Sequence, residues 1–502
     1  MRRAHPRRID LVSQPSGAGM KESYSLSDIA EDNSDVELRR NTLGVWKVVF
    51  LVVSAASPLS AMLGAVPPAV SLGNGAGVPG AYVIAGLILL VFSVGYAAMS
   101  RHVVRAGAFY AYITAGFGRP FGVAGALLAL ASYSVLQIAL YGLFGFFCTV
   151  VLSPVLHSGL PWYGYSLLCL AAVQVIGVRG IDLNSRLLGL LMILEMGILL
   201  LLSVAIMRHG GGPQGLSLAP FSPGVVLSGH PGIAIMFALA SFIGFEATAI
   251  YGKECDRPDV AVPRATYISV LLIQIFFAFV TWAIVCAYGT ANVVSVANEH
   301  PGEFWFIQSS KHLGAAMTTT MSFLLISSIF ASLLSFHNTL VRYIHSLSIE
   351  GILPAWLKRT HPKFGSPHMA SYLQTFSVLV PLLLFILAGS DVFGVVFSWD
   401  VAFGTIGIVA LQALTSFSIM LYFLRTRKDT RVWHTFVAPL LGGIGLASVG
   451  WILARNLDVF SGSNSAIVQS FPLMIAAIFV IGVVIGIVLR KTKPEVYRRF
   501  GQ

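Results

Sequence analysis

The chain reads as an all-α integral membrane protein of twelve transmembrane helices, the first and sixth of them interrupted. Three observations carry this reading. The 502 residues are 56% hydrophobic and 11% charged, with a mean hydropathy of +0.80, whereas a soluble domain is about 25% charged. Apolar runs of about 20 residues, enough to cross roughly 30 Å of hydrocarbon, recur along the whole length. Two of those runs carry a helix breaker or a charge near their middle. The alternation of apolar and polar residues that a membrane β-barrel requires is missing from the sequence.

The spans are read at 45–70, 80–100, 120–150, 163–178, 187–207, 229–251, 266–290, 313–344, 369–388, 394–424, 434–454 and 467–489. The fourth is short; the third, eighth and tenth are long enough to tilt. With the N-terminus inside, the inner segments hold 29 of the 32 Lys and Arg residues, and the outer ones hold Arg208, Lys311 and Arg455. This asymmetry places both termini in the cytoplasm, fits an even number of spans and predicts a multi-pass protein of the cytoplasmic (inner) membrane. The same placement turns the net charge of +11 toward anionic lipid headgroups and excludes nucleic acid as the partner. Residues 1–42 are polar, of mixed charge and without an early apolar stretch. They read as a disordered cytoplasmic tail with no cleavable signal, its role topological or regulatory. Cys148, Cys169 and Cys286 fall in spans and Cys255 in a cytoplasmic loop, so they read as soft core residues; no disulfide, metal site or cofactor is expected.

Spans one to five (43–210) and six to ten (211–430) can be laid side by side, and the two broken spans then correspond. Five spans per half is odd, so the halves insert with opposite topology, which is the inverted-repeat logic of secondary transporters. Spans eleven and twelve (431–490) are accessory, and 491–502 form a cytoplasmic tail. The stretch 356–367, with Lys358, Arg359 and Lys363, is expected to form a short cytoplasmic surface helix and turn.

Each break carries its own chemistry. In span one, Pro58 removes a backbone donor and disrupts the helix before it. Where a half-helix restarts, free N–H groups point outward at a positive dipole end, which suits a carboxylate. That role falls to the amides of Ser60, Ala61 and Met62, with Ala56, Ser57, Pro58 and Leu59 completing the segment; a plain proline kink is the competing reading. In span six, Gly244 permits unwinding, and Glu246 follows in apolar sequence. A half-helix C-terminus presents carbonyls, so the backbone of Ala240, Ser241, Phe242 and Ile243 is assigned to an ammonium group. Phe242 and Phe245 are the candidates for an aromatic gate, core packing being the alternative for either.

Glu195, Glu246 and Asp400 are the acidic residues deep in spans. An intramembrane carboxyl is expensive and marks function by default. Glu195 is assigned to proton or cation coupling, or to a structural hydrogen bond across the bundle. Glu246 is assigned to packing and pH gating, and Asp400, in the outer part of span ten, to structure. Ser332 and Ser335 in span eight offer oxygens to a small cation, or let helices pack closely. His337 reads as a hydrogen-bonded core residue. Tyr133, Ser134 and Gln137 interrupt apolar span three and are placed toward a substrate side chain.

Several stretches together resemble the amino acid–polyamine–organocation (APC) superfamily of secondary transporters. They are Ala56-Ser57-Pro58-Leu59; Gly95-Tyr96-Ala97-Ala98-Met99-Ser100-Arg101 followed by Gly107-Ala108-Phe109-Tyr110; Ser241-Phe242-Ile243-Gly244-Phe245-Glu246 followed by Pro263-Arg264-Ala265; and His337-Asn338 through Arg342 to Leu353-Pro354. The resemblance covers about residues 41–430. It implies a LeuT-type fold of 5+5 inverted repeats and alternating-access transport of an amino acid or related amine whose two polar groups meet the two breaks. Two departures stand out. Many members carry a Gly-Ser-Gly-like run where this chain has Leu59-Ser60-Ala61. Many sodium-independent members place a Lys where this chain aligns Glu195. A Glu there suits a proton, or Na⁺ together with Ser332 and Ser335, so the coupling ion stays open. The leading expectation is a proton-coupled amino acid transporter. A Na⁺-coupled or obligate-exchange amino acid or polyamine transporter is the alternative, and a membrane-embedded sensor or enzyme is remote, because no nucleophile–base or metal-ligand pattern is present.

Overall fold

Apart from isolated bridge residues, Gly212 with Gly215 and Cys255, every regular element among the described residues is helical. The computed structural model describes residues 44–103, 108–157, 159–180, 185–255, 257–461 and 463–500. The tail read at 1–42, Gly107 of the second motif and Asp256 of the loop after span six lie outside them.

The first span is two half-helices, α1 (Val45–Ala55) and α2 (Pro58–Pro68). Pro58 stands at the first helical position of α2, where its missing N–H is no loss. Ser57 before it is left-handed, with φ +43°, an uncommon state for a residue with a Cβ. The chain bends again at Gly73–Gly77 before α3 (Val78–Ser100). Then follow α4 (Ala108–Phe117), α5 (Arg119–Leu156), α6 (Trp162–Val178) and α7 (Ser185–Arg208). The second broken span is α8 (Pro231–Ser241) and a 3₁₀ stretch, Phe245–Glu254. The remaining long helices are α9 (Pro258–Tyr288), α10 (Ala315–Ile349), α11 (His368–Leu387), α12 (Ser398–Thr426), α13 (Ala438–Arg455) and α14 (Phe471–Thr492).

Among the described residues, ten helical runs are long and apolar enough to cross a membrane, and two shorter apolar helices, α1 and α6, accompany them. One expectation needs correction. The seventh span starts at Pro258 rather than 266, because Pro258 at a first helical position lets the helix begin in polar sequence. The short helix and turn expected at 356–367 are present as a 3₁₀ helix, Ala355–Lys358, and a turn closed by the Gly365 N–H on the His361 carbonyl at 2.8 Å; Pro362, Gly365 and Pro367 prevent a longer helix.

Close packing places the breaks. α3 lies along α9, and α14 along α5. On α14 a Cβ at Gly482 would stand 2.4 Å from Ala124 Cα, and one at Gly486 would stand 2.6 Å from Pro120 Cα. This small-xxx-small pair lets the α14 backbone touch α5, the usual device where lipid removes any hydrophobic drive between helices. His337 on α10 meets the Ser371 hydroxyl on α11 at 2.9 Å, and its ring fills the space beside Gly177 of α6. It is a core residue joining three helices.

Candidate functional site

The two breaks meet. A Cβ on Gly244 would lie 3.6 Å from both Ala55 Cβ and Ala56 N, and Gly244 has φ +116°, a conformation that glycine alone adopts readily. Between the breaks lies a cavity of about 100 Å³, several times the roughly 10–15 Å³ that one water requires. From the first break it is lined by Ala56, Ser57, Ser60 and Ala61, and from the second by Ala240, Ser241 and Ile243. Among the described residues, no charged side chain lines it.

At the start of α2 the donors can be counted one by one. Pro58 has no N–H. The Leu59 N–H donates to Glu195 Oε2 at 3.4 Å. The Ala61 N–H donates to the Ser57 carbonyl at 3.0 Å, and that of Met62 falls within the helix ladder. Ser60 therefore keeps the open backbone donor, since no partner for its N–H is found among the described residues. This corrects the assignment of the Ala61 and Met62 amides to a carboxylate: a helix restarting at Pro58 leaves its orphan donors in the first turn, at residues 59 and 60. Pro58, Leu59 and Met62 do not line the cavity, and all three are buried.

At the end of α8 the Ala240 carbonyl accepts from Ile243 N–H (3.2 Å), and the Phe242 carbonyl accepts from Phe245 N–H (3.3 Å). The carbonyls of Ser241 and Ile243 have no backbone partner among the described residues, so they are the acceptors that remain open at this end. The Ser241 hydroxyl donates to the Phe237 carbonyl at 2.9 Å and meets Tyr82 Oη at 3.0 Å.

Neither candidate gate aromatic reaches the cavity. Phe242 packs edge-on against Phe277 and Phe245 against Phe92, and both are fully buried. The aromatic rings in the wall are Phe336 and Phe397. Ser332 of α10 also lines the cavity, and the rest of the wall, including Leu136, Ala139, Leu140 and Leu143 of α5 with Val401 of α12, is aliphatic. Sequence reasoning missed these residues because an apolar side chain in an apolar span carries no signal.

Two side chambers adjoin the centre. The first, about 40 Å³, is lined by Ser57, Glu195, Ser332 and Ser335 among others. Ser57 and Ser332 are hydrogen-bonded through their hydroxyls, so a serine pair separates the central cavity from a buried carboxyl. The second is lined by Tyr133, Gly244, Glu246, Phe336 and Tyr343 among others. Here Glu246 folds back to accept the Gly244 N–H at 3.0 Å and takes the Tyr133 hydroxyl on its other oxygen. The carboxylate satisfies the break's own backbone and ties it to α5.

Ser134 and Gln137 face elsewhere. Gln137 accepts from the Gln374 amide at 2.9 Å and donates to the Leu333 carbonyl at 3.4 Å, and the Ser134 hydroxyl donates to Gln374 at 3.3 Å. They bind α5 to α10 and α11 and touch no substrate cavity, which corrects their placement. Substituting Gln137→Ala removes two hydrogen bonds, although the Gln374 amide keeps Ser134 and the Leu333 carbonyl keeps its place in the helix ladder, so the cost is about 1 kcal/mol. Thermal unfolding in detergent should show the loss, while the order of preference among competing substrates stays unchanged.

The family model described as amino acid permease matches residues 43–500. The branched-chain amino acid permease BcaP of Lactococcus lactis subsp. cremoris is 24% identical over 412 residues, covering 77% of this chain and 84% of that protein. The permease of the same name from Bacillus subtilis is 22% identical over 462 residues, covering 85% and 92%. The uncharacterized transporter Rv1979c of Mycobacterium tuberculosis is 26% identical over 217 residues, covering 38% and 44%.

Proposed function

We propose, from the premise that the chain belongs to the amino acid permease family, that it moves neutral amino acids with branched aliphatic side chains, by alternating access and with a proton. The protein is a multi-pass membrane transporter and not an enzyme. The finer reading is ours. Twelve spans form two inverted repeats, 43–210 and 211–430, of the LeuT type, with accessory spans at 431–490 and both termini on the cytoplasmic side of the inner membrane.

The observation that carries the substrate reading is the composition of the central wall. Its polar groups are backbone and serine hydroxyls at two opposed helix ends, together with Ser332 of α10, and its remaining surface is aliphatic or aromatic, without a charge among the described residues. A zwitterion matches it: the carboxylate at the Ser60 N–H, the ammonium at the Ser241 and Ile243 carbonyls, and an apolar side chain toward Leu136, Leu140 and Val401. A polyamine would bring two or more ammonium groups to a wall without a carboxylate, so that alternative loses ground. The names of the two permease relatives agree with the aliphatic reading.

Glu195 supplies the coupling. When ionised it holds the Leu59 N–H and faces the positive end of α2. When protonated it holds that first turn less tightly. The charge state of one side chain in α7 thereby sets how firmly the first break is anchored, and the Ser57–Ser332 pair passes that state to the substrate cavity. Na⁺ among the oxygens of Glu195, Ser57 and Ser332 is the second reading, favoured by that same cluster.

The test is uptake of radiolabelled leucine into proteoliposomes. We expect accumulation when the outside is made acidic in Na⁺-free buffer, with competition by isoleucine and valine but not by lysine, glutamate or putrescine. Uptake that needs Na⁺ or ignores the pH gradient rejects the proton; competition by putrescine rejects the substrate class.

A further inference from the structure

A separate cavity of about 450 Å³ opens between α5, α11, α12 and α14, with Pro381, Phe385, Trp399, Asp400, Phe471 and Met474 in its wall. It shares no lining residue with the central cavity. Leu384, Ile467 and Met474 at its edge are exposed apolar side chains, so it faces the hydrocarbon. Its walls are apolar except for Ser390 and two polar groups on consecutive residues of α12. Asp400 is 7% exposed, and its Oδ2 is buried without a hydrogen-bond partner among the described residues; the Trp399 Nε1–H is buried and without a partner among them too. Buried polar groups are nearly always paired, and each exception calls for an explanation.

We infer that this cavity binds a lipophilic alcohol, an apolar body bearing one hydroxyl head, recognised by Asp400 and Trp399. A hydroxyl both donates and accepts, so this one head type serves an acceptor carboxylate oxygen and a donor indole N–H. It also serves a protonated Asp400, whose O–H it can accept. An ammonium head only donates and leaves the indole unpaired. An anionic head meets the carboxylate. An alkane leaves both groups unmade. The volume is far above the roughly 30 Å³ share of one water in the liquid, so the occupant is a chain or ring system. Depth points the same way. Asp391 caps the start of this helical run, donated to by the Gly394 N–H at 2.6 Å, and Asp400 lies nine residues further on, roughly 13 Å along a helix. At that depth the source of ligand is the membrane.

The full-length protein in phosphatidylcholine nanodiscs is labelled with a diazirine-bearing dodecanol, and the adducts are mapped. Label is expected within 381–385 or 471–474. Dodecanol should displace it at about tenfold lower concentration than dodecane does, the margin set by one recovered hydrogen bond. Asp400→Leu and Trp399→Phe should each reduce that preference to about twofold or less. Trp399→Phe keeps the ring, so a folding failure of Asp400→Leu leaves the test intact. Label confined to other segments, dodecane competing as well as dodecanol, dodecylammonium competing better, or an unchanged preference in both variants overturns the proposal.

Discussion

Glu195→Gln is expected to abolish accumulation driven by a pH gradient while leaving leucine-for-leucine exchange close to normal. Glutamine has the shape of glutamate and keeps a carbonyl oxygen that can accept the Leu59 N–H, so the anchor on α2 survives in its neutral form. It cannot gain or lose a proton. For one proton per substrate, each unit of pH gradient is worth about 1.4 kcal/mol, or up to about a tenfold inside-to-outside ratio with the membrane potential clamped. The wild type should approach that ratio in proteoliposomes, and the variant should settle near unity. A variant that still accumulates leucine in proportion to the gradient removes Glu195 from the coupling.

Gly244→Ala carries the next largest effect. Space is not the obstacle, because the added Cβ would meet Ala55 and Ala56 at an ordinary 3.6 Å. The obstacle is φ +116°, where an L side chain is strained by about 1–3 kcal/mol. Relief of that strain turns the peptide planes on either side. The Ile243 carbonyl then leaves the cavity and the Gly244 N–H leaves Glu246. Transport should fall by about 10- to 100-fold, mostly through weaker leucine binding. Gly389→Ala is the control: φ +64°, open space around it and no part in any cavity described. It should lower stability and leave the apparent affinity for leucine alone. Equal loss of affinity in both variants would mean that Gly244 acts through general stability.

What was legible in the sequence follows from which signals are local. Pro58 and Gly244 act on their own backbone, so both breaks could be found without a neighbour. Of the three amides expected to be open, Ser60 is, while Ala61 and Met62 already lie in the helix ladder, because the helix restarts at Pro58 itself and its orphan amides come first. Ser134 and Gln137 were placed toward the substrate because a polar residue in an apolar span looks the same whether it faces a ligand or another helix; only Gln374, more than 200 positions away, decides it. The aliphatic wall of α5 gave no signal at all. The Gly482–Gly486 spacing was available as a packing signal on the last helix, and it explains why that helix lies against α5.

The central claim is that an amino acid bound between the two breaks enters together with a proton held by Glu195. Its most direct test is leucine-induced acidification inside proteoliposomes loaded with a pH-sensitive dye, with no gradient imposed and the potential clamped. Acidification should track leucine uptake at about one proton per leucine and be lost in Glu195→Gln. Leucine uptake without a change in internal pH, or acidification undiminished in Glu195→Gln, would contradict it.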